Sequence, residues 1–136
     1  APEGIRRVQE AYPDIEIYLG EASAERIGEW LGATLNAPPL TPCGKLKWRT
    51  EGHLDGADIP VLLVGKAADG FASLWLDSGQ SPWPTDADFA RAAALALDCE
   101  VRCSLGGWQP GDDPDRFLQV LPDGSESAID WPDSGH

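Results

Sequence analysis

The sequence predicts an α+β fold: about seven strands in one antiparallel or mixed sheet, with two main helices on one face. Three observations carry that prediction. Short segments alternate apolar and polar residues, two longer segments repeat apolar residues every three or four positions, and Gly- or Pro-rich turns separate them. With 136 residues and 42% hydrophobic side chains, the chain suits one domain over 1–136 that buries roughly two thirds of its unfolded surface.

In chain order, IRRVQEAY is amphipathic enough for a short helix that Pro13 stops. In DIEIYL, Ile15, Ile17 and Leu19 alternate with Glu16 and Tyr18, the period of a half-buried strand. Ser23 is placed to cap a helix through AERIGEWLGATL, whose apolar stripe is Ile27, Trp30, Leu31 and Leu35. Gly28 and Gly32 weaken this helix but allow close approach to the sheet. NAPPLTPCG, with three prolines, reads as loop. KLKWRTEGHL offers Leu46, Trp48 and Thr50 as one strand face; DGAD is a turn, and IPVLLV is a more buried strand. KAADG turns into FASLWLDS, with Phe71, Ser73, Trp75 and Asp77 on one face and Ala72, Leu74 and Leu76 on the other. Thr85 caps DADFARAAALAL, with Asp88 as the capping-box acid and Phe89, Ala92, Ala93 and Ala96 as its thin apolar face. CEVRCSL is a strand, GGWQPGDDPD an acidic loop, and FLQVL with ESAIDW a final hairpin around PDG.

Two stretches echo each other. IYLGEAS before one helix resembles LWLDSGQ before the other, and IPVLLVGKAADGFASLWLDSG matches RFLQVLPDGSESAIDWPDSG in alternation, DG turn and terminal D-S-G. This suggests a tandem βαββ, ferredoxin-like duplication with halves 14–70 and 71–131.

No catalytic or cofactor motif appears. G-x-S-x-G, P-loop and G-x-G-x-x-G patterns are missing, so no cofactor is expected. His53 precedes a turn and reads as a solvated imidazole, while His136 is terminal. Asp112, Asp113 and Asp115 lack calcium-loop spacing, and no C-x-x-C or H-x-x-x-H element suggests zinc, so no metal is expected. Cys43, Cys99 and Cys103 are too few and too awkwardly spaced for a disulfide scaffold, and free thiols fit a reducing cytoplasm. The N-terminal stretch lacks a signal-peptide apolar core, and no run reaches membrane-spanning length.

The formal charge of −13 disfavours nucleic-acid partners. It is uneven: residues 66–136 hold thirteen acids against four bases, and beyond Gly106 only Arg116 opposes the carboxylates. Within this acidic third lie Trp108, Asp112, Asp113, Asp115 and Asp130, and Trp83 occupies a Pro-flanked loop. Aromatic anchors ringed by carboxylates suit a basic protein partner, the rings supplying affinity and the charge the encounter rate.

Small size, acidity, six tryptophans, a Gly/Pro-rich α+β plan and no catalytic set together resemble the bacterial immunity proteins that neutralise toxins. That resemblance implies a non-enzymatic inhibitor occluding a basic partner. A homodimeric ferredoxin-like regulatory or small-ligand-binding domain is the first alternative, so monomer and homodimer both stay open. An enzyme with a carboxylate site at Asp77 and Asp86 is the second.

Overall fold

The computed structural model describes residues 13–105 and 115–131. Its eight strands are β1 (Ile15–Leu19), β2 (Thr41–Gly44), β3 (Lys47–Leu54), β4 (Ala57–Ala68), β5 (Phe71–Leu76), β6 (Val101–Ser104), β7 (Arg116–Val120) and β8 (Glu126–Asp130). Helix α1 spans Ala24–Leu35 and α2 spans Asp86–Leu97. The strands form one antiparallel sheet in the order β2-β3-β4-β5-β1-β6-β7-β8.

The expected helix starts hold. Ser23 Oγ accepts from the Arg26 N–H at 3.1 Å, and Thr85 Oγ1 from the Asp88 N–H at 3.2 Å, each satisfying a donor that the first helical turn leaves open. Asn36 and Asp98 end the helices in the left-handed conformation. Ile27, Leu31 and Leu35 of α1 pack over the core formed by Ile15, Ile17, Leu19, Ile59, Val61, Leu63, Leu74 and Leu76. Each of these sheet residues sits two positions from the next on its strand, so one face collects them.

Four expectations change. The sheet has an eighth strand, because Thr41 and Pro42, inside the stretch read as loop, pair with Arg49 and Trp48. An edge strand tolerates proline, since its missing N–H falls where no partner needs it. The buried stripe of α2 is Phe89, Ala90, Ala93, Ala94 and Leu97, and Ala96 is exposed. Leu97 sets that rotation, because alanines alone give little contrast between faces. Gly28 and Gly32 face Leu40 and Ala37 rather than the sheet; the tight approach is at Gly52, where a Cβ would lie 2.7 Å from Leu35 Cβ. Finally, the tandem βαββ duplication is not shown. β1 sits between β5 and β6, so the two sequence halves do not form equivalent sheets.

The opposite face carries a second, aromatic cluster of Tyr18, Phe71, Phe117 and Trp131, with Ala68 and Ile129. The rings meet edge to face at centroid distances of 5.0 to 6.0 Å. Arg102 lies among them, bonded to Glu100 at 2.9 Å, and Glu100 also accepts from Gln119 at 2.6 Å. Tyr18 is pushed up to about 12, chiefly by burial and then by the adjacent Glu16. Cys99 and Cys103 are buried free thiols and Cys43 is an exposed one.

Candidate functional site

Register places one end of the sheet in a row of acids. Ile15 lies opposite Leu76, which brings Asp14 level with Asp77. Ser104 lies opposite Phe117 and Arg116 opposite Asp130, so Asp115 and Asp130 stand at this same end. The start of α2 joins them, because Asp86 Oδ1 accepts from the Glu16 backbone N–H at 3.0 Å. Carboxylates from β1, β5, α2, the entry to β7 and the end of β8 thus share one rim. It crosses five adjacent strands, roughly 20 Å at the usual strand spacing.

Asp86 is the partly buried member of this rim. Its carboxyl is raised from 3.8 to about 6, first by burial and then by the charges of Asp14 and Glu16; the Glu16 N–H bond pulls the other way. Cys103, behind it, is pushed up to about 12, mainly by burial and also by Asp86. Of the nearby cations, Arg91 is committed to Glu126 through two bonds of 2.7 and 3.1 Å and stands 3.6 Å from Asp88. Arg116 is 3.9 Å from Asp130.

The sequence-derived site residues divide as follows. Asp130 is exposed and Asp115 half-buried, its carbonyl accepting from the Trp131 N–H at 2.7 Å. Trp83 is half-buried, stacked on Phe89 at 4.8 Å and tilted against Trp30 at 5.1 Å, which ties the loop before α2 to the core. Trp108, Asp112 and Asp113 lie outside the described residues; the flanking Leu105 and Asp115 both stand at the acidic end. Asp77 is exposed, its N–H bonded to the Pro60 carbonyl, and the carboxylates acting on Asp86 are those of Asp14 and Glu16. No family model, curated protein or solved structure gives a significant match to this chain.

Two features escaped the sequence. Between α1 and the β2–β3 hairpin lies a cavity of about 550 Å³, walled by Leu40, Pro42 and Trp48 and floored by Gly28 and Gly32, with Glu25 and Glu29 beside it. The glycine pair four residues apart is its sequence signal: without Cβ atoms, that strip of α1 cannot fill the space. The second is a trio on the β3–β4 hairpin, Glu51, His53 and Asp58, with His53 Nδ1 2.7 Å from Asp58 Oδ1. The Asp55-Gly56 turn could have revealed it, because a two-residue loop pairs Leu54 with Ala57 and therefore His53 with Asp58. Among the described residues no helix is long and apolar enough to cross a membrane.

Proposed function

We propose that this chain is a non-enzymatic protein-binding domain of the immunity or inhibitor type, which covers a basic partner with the acidic end of its sheet. One observation carries the reading: Asp14, Asp77, Asp86, Asp88, Asp115 and Asp130 arrive from five elements, two of them on α2, at one rim. Like charges brought together by the fold repel one another, and Asp14 adds this repulsion to the rise that burial imposes on Asp86. A partner's lysines and arginines would relieve it, and the field would speed encounter at low salt. The sequence-derived anchors Trp83 and Trp108, with Asp112 and Asp113, belong to the same proposal. Free thiols support a reducing, cytoplasmic setting.

The homodimer alternative draws less support from the sheet edges. β2 is four residues long and contains Pro42, while β8 carries Glu126 and Asp130, features that blunt strand-to-strand pairing. The test is retention of basic proteins encoded beside this gene, by wild type and by D14N/D77N/D115N/D130N, at low and moderate salt. Retention by the wild type alone, weakening with salt, is expected. No retained basic protein at low salt, or equal retention by the variant, overturns the reading.

A further inference from the structure

We propose that Glu51, His53 and Asp58 form a site for a first-row transition-metal dication, with zinc as the reference ion. The site lies at the same end of the sheet as the acidic rim, two strands beyond Asp77, since Glu51 pairs with Pro60 and the Asp77 N–H bonds the Pro60 carbonyl; its metal chemistry does not depend on the rim's role. β3 and β4 join through a two-residue turn in which Asp55 and Gly56 both have positive φ, 52° and 82°, the geometry that fixes hairpin register. In that register His53 stands opposite Asp58, and Glu51 lies two residues back on the same strand face. Opposed and diagonal positions on one face are the ones whose side chains meet. One donor atom from each residue lies within 4.8 Å of the other two.

The chemistry of the set narrows the ion. Zinc bonds imidazole nitrogen and carboxylate oxygen at about 2.0–2.2 Å, so neighbouring donors around it stand roughly 3.4 Å apart. The three side chains are exposed, so the ion would replace the 2.7 Å His53–Asp58 hydrogen bond and draw the three donors to that spacing. An imidazole with two carboxylates suits zinc, nickel or copper; magnesium and calcium take oxygen shells. Three protein donors leave a further position for water.

The backbone beneath is held. Asn36 Nδ2 donates to the His53 carbonyl at 3.0 Å, and Gly52 is buried under Leu35. The donors therefore project from a fixed hairpin rather than a free loop, which lowers the ordering cost of binding.

The test is calorimetric titration of zinc chloride into the chelator-treated full chain carrying His136→Ala, which removes the other histidine. Amide NMR spectra are recorded alongside. Saturable one-to-one binding is expected, with amide shifts centred on residues 51–58. His53→Ala should lower affinity at least ~10-fold, and Asp58→Asn and Glu51→Gln each measurably. Circular dichroism of each variant confirms the fold, and because all three side chains are exposed, the conservative pair tests the site even if His53→Ala perturbs the hairpin. Magnesium at equal concentration should leave these amides unmoved. Absence of saturable binding, undiminished affinity in His53→Ala, or equal binding of magnesium overturns the proposal.

Discussion

Arg102 holds its guanidinium 4.6 Å from the ring centroid of Trp131. Phe71 lies on it as well, at 4.5 Å, and Glu100 bonds its Nε at 2.9 Å. One cation thus links three strands' worth of aromatic and polar groups on the face opposite the helices. Arg102→Ala removes the cation–π contacts and strips Glu100 of a partner, and should cost about 2–3 kcal/mol in urea denaturation. Arg102→Lys, lacking the planar fork, should recover less than half of that.

Asp86 makes stability depend on pH with a definite sign. Its native value of about 6 exceeds the ordinary 3.8, so the folded chain binds the proton more tightly than the unfolded one. Its contribution to stability is full below about pH 4 and is lost as pH rises through about 6. Asp86→Asn keeps an oxygen for the Glu16 N–H and removes the charge. It should therefore stabilise the protein at pH 7 by about 1–2 kcal/mol, the two-unit shift being discounted for partial exposure. The difference should vanish near pH 4 in paired denaturation curves.

Two glycines should respond oppositely to alanine. At Gly52 the new Cβ would meet Leu35 Cβ at 2.7 Å and the Leu35 carbonyl at 2.9 Å. Backbone must move, so Gly52→Ala should destabilise by about 1–3 kcal/mol. At Gly28 the nearest atom is Leu40 Cδ1 at 3.6 Å, an ordinary contact, and Gly28→Ala should raise stability by up to ~1 kcal/mol through helix propensity. Thermal melts of both variants read the contrast directly.

Leu46 turns the β2–β3 hairpin at φ 56°, a left-handed conformation costly for a bulky side chain, and it remains 41% exposed. Leu46→Asn should stabilise by about 0.5–1 kcal/mol in chemical denaturation, because asparagine tolerates that conformation and little burial is lost.

What the sequence disclosed was local. The Ser23 and Thr85 caps, the Asp69-Gly70 turn and the two faces of β5 depend on residues a few positions apart. β2 was hidden because Thr41 and Pro42 become a strand only by meeting Arg49 and Trp48 across a hairpin. The acidic rim was half visible. Charge counts marked Asp115 and Asp130, but the alignment of Asp14 with Asp77, and Asp86 against Glu16, follows from strand order. Short-range patterns do not encode that order. The cavity beside α1 needed both the helix and its neighbour in place, although Gly28 and Gly32 were already in view.

The position of β1 bears on how the chain acquires its shape. Five residues, Ile15–Leu19, hydrogen-bond to Leu76 and its neighbours on one side and to Val101 and Arg102 on the other. The hairpins of β2–β5 and the β7–β8 hairpin close over short turns and can form early, whereas β1 must wait for partners far downstream. Truncating Ile17 should then leave the refolding rate nearly unchanged while hastening unfolding, the kinetic signature of contacts made after the barrier. On that order the earliest of these strands to be synthesised is the last to be seated, and only its arrival joins the two meanders along a common seam.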